Sequence, residues 1–369
     1  MDTNKNIKIM LSGGGTGGSV TSLLAIADKA TLEKKNWEFV FIGTNKGPEK
    51  DMLKDSLAKI RFRSMVSGKL RRYFSLQNLI DLFKIFGALF QSFLILHEEK
   101  PDLILSAGSF VSVPLIWAAG FKKIPVIIHQ QDVRAGLANR LMAPAADIIT
   151  VTFANSLADY GPKAIWIGNP TKFLETEEYK KIIPQIWEKY GLHSGKPLVL
   201  VTGGRMGAGP LNKLFEGAQL KLSGCQIVHL TGSYISDGVI SRNPDYHILK
   251  SLPHNDFLTL MVSADLVVSR AGLGSLTELS ELNKATIIIP LPNSHQEDNA
   301  EIFSRSEAAL VLNQKELTPD KLASEINFLL SDEKRLADLR NKIFQIIRKG
   351  AALKMLDLIE KLLEAKRKK

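Results

Sequence analysis

Three glycine-rich turns hold the residues of this chain whose types and spacing can do chemistry. The first, Gly13-Gly14-Gly15-Thr16-Gly17-Gly18, carries G-x-G-x-x-G at positions 13, 15 and 18. Glycines at that spacing permit a tight turn and let a phosphate approach the main chain at a helix N-terminus. The second, Gly203-Gly204-Arg205-Met206-Gly207-Ala208, opens the later part of the chain in the same way. The third is Ser269-Arg270-Ala271-Gly272-Leu273-Gly274-Ser275-Leu276-Thr277-Glu278. Its small residues admit a diphosphate to a helix N-terminus, where unbonded N–H groups and the helix dipole offset the negative charge without a metal. Glu278 falls one turn into that helix; its carboxylate either accepts hydrogen bonds from both hydroxyls of a ribose or simply favours the dipole. Further on, Pro290-Leu291-Pro292-Asn293-Ser294-His295-Gln296-Glu297-Asp298-Asn299-Ala300 opens another helix. Gln296 and Asn299 are one turn apart there, so their amides share a face suited to sugar hydroxyls.

These turns need strands and helices to position them. Apolar runs at 7–11, 39–42, 103–105, 126–128 and 148–151 read as buried parallel strands separated by helix-length amphipathic segments. After Gly168-Asn169-Pro170 the pattern restarts, with strands expected at 198–201, 226–230, 266–268 and 286–289. The fold class is therefore α/β, two doubly wound Rossmann-like units in tandem, with the linker at the start of the stretch 168–197. Ligands of open α/β sheets bind beyond the carboxyl ends of the strands, so the glycine turns are expected to face a shared cleft. A dinucleotide-binding unit also needs an acid at the end of its second strand, about 20 residues past the glycines. Here that strand ends Phe41-Ile42-Gly43-Thr44-Asn45 and Glu38 stands at its wrong end, which argues against a nicotinamide-dependent oxidoreductase.

Composition bounds the rest. The chain has 369 residues, 45% apolar and 23% charged, which suits two or three soluble domains and excludes a disordered chain. A single cysteine, Cys225, makes neither an internal disulfide nor a thiolate cluster, in keeping with a reducing cytoplasm. The first residues are polar and lead straight into a strand, so export is not expected. Net charge is +10, and residues 1–168, with 21 basic and 14 acidic side chains, carry +7 of it. An anionic partner for the first half follows: nucleic acid, a membrane surface or a phosphorylated substrate.

Taken together, Gly14-Gly15-Thr16-Gly17-Gly18, His129-Gln130-Gln131-Asp132 with Gly136-Leu137-Ala138-Asn139-Arg140, Gly168-Asn169-Pro170 and the three later motifs resemble the MurG family, in family order over nearly the whole chain. Members of that family add N-acetylglucosamine to lipid I to make lipid II in peptidoglycan synthesis. The resemblance implies a GT-B fold, with an acceptor- and membrane-facing domain at 1–168 and a UDP-sugar-binding domain at 169–345. Residues 346–369 would be a helix returning to the first domain plus a basic tail. It implies UDP-N-acetylglucosamine as donor, no metal and no cofactor. By motif matching, Leu273, Gly274, Ser275, Leu276, Thr277 and Glu278 would hold the diphosphate and ribose. Gln296, with Asn299, would reach the sugar, and the main chain near His254 would read the uracil edge. Thr16, Gly17 and Gly18 would face the reaction centre and carry the acceptor diphosphate. The muramoyl 4-hydroxyl would then attack the anomeric carbon with inversion as UDP departs.

Departures from the family cluster on the same places. Ser19 replaces a histidine, and a serine hydroxyl takes no proton at neutral pH without an adjacent base. The usual His-Glu-Gln-Asn reads His129-Gln130-Gln131-Asp132, the usual arginine after Gly-Asn-Pro is Lys172, and the usual Gly-Gly-Ser-Gln reads Gly203-Gly204-Arg205-Met206. Asp132 is thus the candidate general base, with Ser19 orienting the nucleophile and His129 beside it. The competing role for Asp132 is to cap the helix that follows or contact the donor sugar. Arg205 is a candidate to neutralise the leaving diphosphate.

Residues 67–96 join a basic cluster, Lys69, Arg71 and Arg72, to an aromatic-rich apolar helix that includes Phe74, Leu79, Phe83 and Phe86. Asp81, Lys84 and Gln91 interrupt it, so it suits an interface rather than a span. Each basic residue gains about 1 kcal/mol near anionic lipid. Burial as a core helix explains many of the same apolar positions. The basic run favours peripheral docking on the anionic inner-membrane surface, at the cytoplasmic face, over nucleic acid, for which no binding module is recognisable. The expected function is inverting transfer of N-acetylglucosamine to lipid I. The alternatives are another UDP-sugar transferase with a lipid acceptor and a UDP-sugar-binding protein without catalysis.

Overall fold

A computed structural model describes residues 6–14, 17–45, 47, 49–65, 76–172, 176–204, 207–232 and 241–368, without the side chains of residues 55, 76–86, 176 and 367. The chain divides into two compact units, Met1–Lys172 with Arg348–Lys369, and Phe173–Ile347. The divisions fall a few residues beyond 168 and 345.

The first unit runs β1 (Ile7–Ser12), α1 (Gly17–Leu32), β2 (Trp37–Thr44), α2 (Glu49–Met52), β3 (Ile60–Met65), α3 (Leu76–Glu99), β4 (Leu103–Ser106), α4 (Ser112–Phe121), β5 (Val126–Gln130), α5 (Leu137–Met142), β6 (Ile148–Val151) and β7 (Ala164–Trp166). Its strands pair in parallel in the order β3-β2-β1-β4-β5-β6-β7. Side chains alternate across a strand, so a doubly covered strand must be apolar at every position. In β1, Ile9 and Leu11 enter one core with α1, and Met10 enters the other with residues of α3 and α4. The edge strand β3 is more polar, and ion pairs hold it: Arg61 reaches Glu38 at 2.7 Å and Glu99 at 2.8 Å, and Arg63 reaches Glu99 at 3.0 Å.

The second unit runs α6 (Thr176–Lys189), β8 (Leu198–Thr202), α7 (Gly209–Ala218), β9 (Gln226–Leu230), β10 (Tyr246–Leu249), α8 (His254–Ser263), β11 (Leu266–Ser269), α9 (Leu273–Glu281), β12 (Thr286–Ile288), α10 (His295–Arg305), β13 (Leu310–Val311), α11 (Pro319–Ser331) and α12 (Glu333–Ile343). Its sheet is also parallel, in the order β10-β9-β8-β11-β12-β13. Strand patterns predict nine of these elements; β3, β7, β10 and β13 are additional, and all four are sheet edges.

The last helix, α13 (Ala351–Arg367), belongs to the first unit. Met355, Ile359 and Leu363 recur every four residues, which puts them on one stripe. That stripe enters the core shared with Val20, Leu23 and Ala27 of α1. The chain enters α13 past a tight crossing: Gly168 has φ +91°, and a Cβ there would stand 2.0 Å from the Arg348 carbonyl oxygen. The Arg348 guanidinium lies over the Trp166 ring at 3.9 Å and donates to the Trp166 carbonyl.

Removing one side chain from this stripe should cost what a core cavity costs. Ile359→Ala is expected to destabilise the first unit by about 2–5 kcal/mol. Three of the four tryptophans, Trp37, Trp117 and Trp166, lie in that unit. Urea unfolding followed by tryptophan fluorescence should therefore show their transition moved to lower urea, with the transition of the second unit, followed at Trp187, unmoved.

Candidate functional site

Strand order reverses between β1 and β4 in one sheet and between β8 and β11 in the other. Helices leave opposite faces on the two sides of such a point, opening a crevice at the carboxyl ends of the strands. The glycine turns after β1 and β8 and the small-residue turn after β11 all stand at these points. A fourth turn does so too, Ala107-Gly108-Ser109 after β4, tied to β1 by Ala107 N–H donating to the Ser12 carbonyl at 3.2 Å. Gly108 and Ser109 have φ +93° and +106°. That conformation costs a residue other than glycine roughly 1–3 kcal/mol. Sequence analysis passes over this turn because it holds one glycine; its place after an apolar strand is the available signal.

In the second unit, α9 starts at Gly272, whose lack of a side chain leaves the helix without a cap. The first intrahelical bond is from Leu276 N–H to the Gly272 carbonyl, so the amides of Leu273, Gly274 and Ser275 precede the ladder. Leu276 and Thr277 are buried, with the Thr277 hydroxyl donating to the Leu273 carbonyl at 2.8 Å. Glu278 is half-buried, and burial, followed by the nearby Glu281, pushes its carboxyl up to about 7.

The carbonyls around this turn are held by side-chain donors. Arg270, 5% exposed, donates to the carbonyls of Ile289 at 2.9 Å and Pro290 at 3.1 Å and to Gln314 Oε1 at 2.5 Å. It thereby clamps the β12–α10 loop beside α9, a role that motif reading misses. Asn299 is buried in α10 and donates to the Ala271 carbonyl at 3.2 Å. Its assignment to a sugar-facing surface is thus corrected: one turn separates it from Gln296, but it points into the protein and fixes the loop. Gln296 is half-exposed, its Oε1 accepting the Leu291 N–H at 3.0 Å, and Ser294 caps α10. His254 is exposed at the first position of α8.

The turn after β8 is built on close main-chain approach. Gly204 and Gly207 have φ +84° and +78°, and a Cβ on Gly207 would stand 2.1 Å from the Thr231 carbonyl oxygen. Asn212 of α7 donates to that same carbonyl at 3.1 Å and meets buried His229 through its Oδ1, and His229 meets the Tyr246 hydroxyl at 2.6 Å. Burial pushes His229 down to about 4, so it is neutral. Arg205 lies outside the described residues.

In the first unit, Gly17 and Gly18 are exposed at the start of α1. Ser19 is only 5% exposed and packs against Gly13, so its expected part in orienting the nucleophile is corrected to packing beneath the turn. His129 is wholly buried, between Thr150 Oγ1 at 3.0 Å and Asn169 Oδ1 at 3.2 Å. Burial pushes it down to about 4, and the Asn169 and Thr150 contacts offset this only in part. His129 is therefore a neutral brace between β5, β6 and the 168–170 turn. Lys172, the candidate substrate-binding residue at the place of the family's arginine, holds its ammonium 2.7 Å from buried Asp28, about 16 Å along α1 from Gly17 at ~1.5 Å per residue.

Asp132 stands half-buried in the β5–α5 loop. The neighbouring Gln131 donates to the Gly18 carbonyl and the Ser22 hydroxyl, both at 3.0 Å, which brings this loop to the first turn of α1. The N-cap of α5 is Gly136, which carries no side-chain cap, four residues after Asp132. Thr16, Lys69, Arg71, Arg72 and Phe74 lie outside the described residues, as do the side chains of Leu79, Phe83 and Phe86 in α3. Beyond them, Phe90 and Leu94 of α3 and Trp117 and Phe121 of α4 are exposed, with the Phe121 ring 6.2 Å from that of Phe93 and 6.5 Å from that of Trp117. Lys122 and Lys123 are exposed beside them. No helix among the described residues is long and apolar enough to cross a membrane.

Comparison with known proteins agrees with this architecture. Residues 9–151 match the glycosyltransferase family 28 N-terminal domain and residues 198–358 its C-terminal domain. A UDP-N-acetylglucosamine--N-acetylmuramyl-(pentapeptide) pyrophosphoryl-undecaprenol N-acetylglucosamine transferase of Clostridium tetani is 33% identical over 96% of this chain and 98% of its own. One of the same name from Clostridium botulinum is 35% identical over 87% of this chain and 90% of its own. Among solved structures, Acinetobacter baumannii MurG superposes with a TM-score of 0.76 at 24% identity, covering 96% of this chain and 99% of that one. A putative UDP-N-acetylglucosamine 2-epimerase of Listeria monocytogenes shares the fold with a TM-score of 0.70 at 14% identity, covering 98% of each chain. Both halves of the chain and the motifs that join them therefore place it in glycosyltransferase family 28 and, within it, in the MurG family.

Proposed function

We propose that this protein transfers N-acetylglucosamine from UDP-N-acetylglucosamine to the 4-hydroxyl of an undecaprenyl-pyrophosphoryl-N-acetylmuramoyl peptide, converting lipid I to lipid II. The names of its full-length relatives support this substrate pair. The observation that carries it is the start of α9: an uncapped helix whose first amides are open, with a carboxyl group one turn on. Amides so placed bind a diphosphate and stabilise the charge that develops as it leaves. Glu278 then takes the ribose hydroxyls, Gln296 the sugar, and the main chain at His254 the uracil edge.

On the first unit, Gly17 and Gly18 receive the acceptor and Asp132 serves as general base. Its carboxylate accepts the proton of the 4-hydroxyl as that oxygen bonds to the anomeric carbon. The bond from that carbon to the β-phosphate oxygen breaks, and its electron pair leaves with UDP. Attack from the face opposite UDP inverts the anomeric centre.

The exposed Phe90, Leu94, Trp117 and Phe121, with Lys122 and Lys123 beside them, form the described part of a surface that docks on anionic lipid at the cytoplasmic face of the membrane. Exposed apolar groups set among cations suit the headgroup boundary, where the lipid-borne acceptor resides.

Four measurements test these assignments. With radiolabelled UDP-N-acetylglucosamine and a lipid I analogue, the wild type should incorporate label, which a binding protein without catalysis would not. Asp132→Asn should lower kcat by roughly 10²–10⁴-fold and leave KM for the nucleotide sugar nearly unchanged; an unchanged kcat removes the base assignment. Binding that uses the ionised Glu278 should strengthen as pH rises toward its raised pKa of about 7 and level off above it. Calorimetry with UDP-N-acetylglucosamine between pH 6 and 8 should show a gain of roughly threefold to tenfold, and Glu278→Gln should abolish the slope. In vesicle flotation, the wild type should rise with anionic liposomes and not with zwitterionic ones. Replacing Phe90 and Phe121 together by serine should leave most of the protein in the soluble fraction, whereas undiminished flotation would exclude this face.

A further inference from the structure

We infer that Gln130 is a positioning residue that sets the Asp132 loop for catalysis through four hydrogen bonds, an assignment that rests on Asp132 being the base. Gln130 is the last residue of β5 and 3% exposed. Its Nε2 donates to the Asp132 carbonyl at 2.7 Å and the Arg134 carbonyl at 3.0 Å. Its Oε1 accepts from Asn139 Nδ2 at 2.7 Å and from the Tyr160 hydroxyl at 3.0 Å. A side-chain amide has two donor hydrogens and two acceptor lone pairs, so every bond it can make is made.

The orientation of this amide follows from its neighbours. The Asp132 and Arg134 carbonyls only accept, so the end that faces them must be nitrogen. Asn139 is fixed by the same reasoning, because its Nδ2 also donates to the His129 carbonyl at 3.3 Å. Asn139 sits on α5 and Tyr160 beyond β6, so one buried amide ties the loop carrying Asp132 to two separate elements. Two carbonyls of the six-residue stretch between β5 and α5 are thus pinned by Gln130, while Gln131 ties the same stretch to α1. The Asp132 backbone is left with little freedom, which is what a base that must meet one hydroxyl at hydrogen-bond distance requires. No other side chain type of this size both donates twice and accepts twice, so the residue is specified by the loop and not by packing alone.

The test is a double-mutant cycle with Gln130→Met, a near-isosteric change that removes all four bonds, and Asp132→Asn. In the Asp132 background Gln130→Met should lower kcat roughly 10- to 100-fold with KM for UDP-N-acetylglucosamine within about twofold, since that substrate binds the other unit. In the Asp132→Asn background the same change should lower kcat no further. An equal loss in both backgrounds, or no loss in either, overturns the positioning role and leaves the base assignment standing. A wild-type kcat for Asp132→Asn alone instead overturns the base assignment, and the two failures are thereby distinguished. Tyr160→Phe, which removes one donor and leaves the amide in place, covers the case in which Gln130→Met does not fold. It should lower kcat roughly threefold to tenfold, again only where Asp132 is present; full activity of Tyr160→Phe beside an unfolded Gln130→Met overturns the proposal.

Discussion

A parallel strand that runs out leaves its next peptide groups without a ladder to join, and buried peptide groups cannot stay unbonded. The protein answers with side-chain donors aimed at carbonyls. Arg270 takes those of Ile289 and Pro290, Asn299 that of Ala271, Asn212 that of Thr231, Gln130 those of Asp132 and Arg134, and Gln131 that of Gly18. Because acceptors are satisfied from within, the N–H groups at the start of α9 are what remains to be met from outside. On the proposed reading, selectivity for an anion follows from which half of each peptide the protein has already bonded.

The same division explains the two buried histidines. His129 and His229 each join two elements through both ring nitrogens, and burial holds each well below the usual histidine range. A neutral buried ring with both nitrogens engaged spends its one N–H and its one lone pair on the protein. It offers one donor and one acceptor along a fixed line, which is suited to joining a strand to an adjacent loop. These two histidines are joints, and proton and hydroxyl chemistry is proposed instead for the half-buried carboxyl groups of Asp132 and Glu278.

Much of this was legible from sequence, and what was not has a common cause. Strands covered on both faces must be continuously apolar, so 7–11, 126–128 and 266–268 announce themselves. The edge strands IRFRSM, AIW, YHIL and LV do not, since one side of each carries polar groups or the strand is too short to show a period. Glycine turns at the site were equally visible, because a φ near +80° disfavours any other residue and a carbonyl 2.1 Å from a missing Cβ excludes one. Partners were invisible: Lys172 faces Asp28, Asn299 faces Ala271, and His129 faces Asn169, pairings separated by 28 to 144 positions in the chain. Residue type and helical spacing say that an amide can meet a sugar; only the fold says that a carbonyl has claimed it first.

The return of α13 has a bearing on how the molecule is made. Its apolar stripe completes the core beside α1, yet it leaves the ribosome only after the whole of Phe173–Ile347. The first unit therefore waits, with the α1 face that receives Met355 and Ile359 uncovered, while the second can close as soon as its own sequence has emerged. Vectorial synthesis reverses the order in which the two units mature, and a ribosome that stops short of residue 350 releases a chain whose later half is finished and whose earlier half is not.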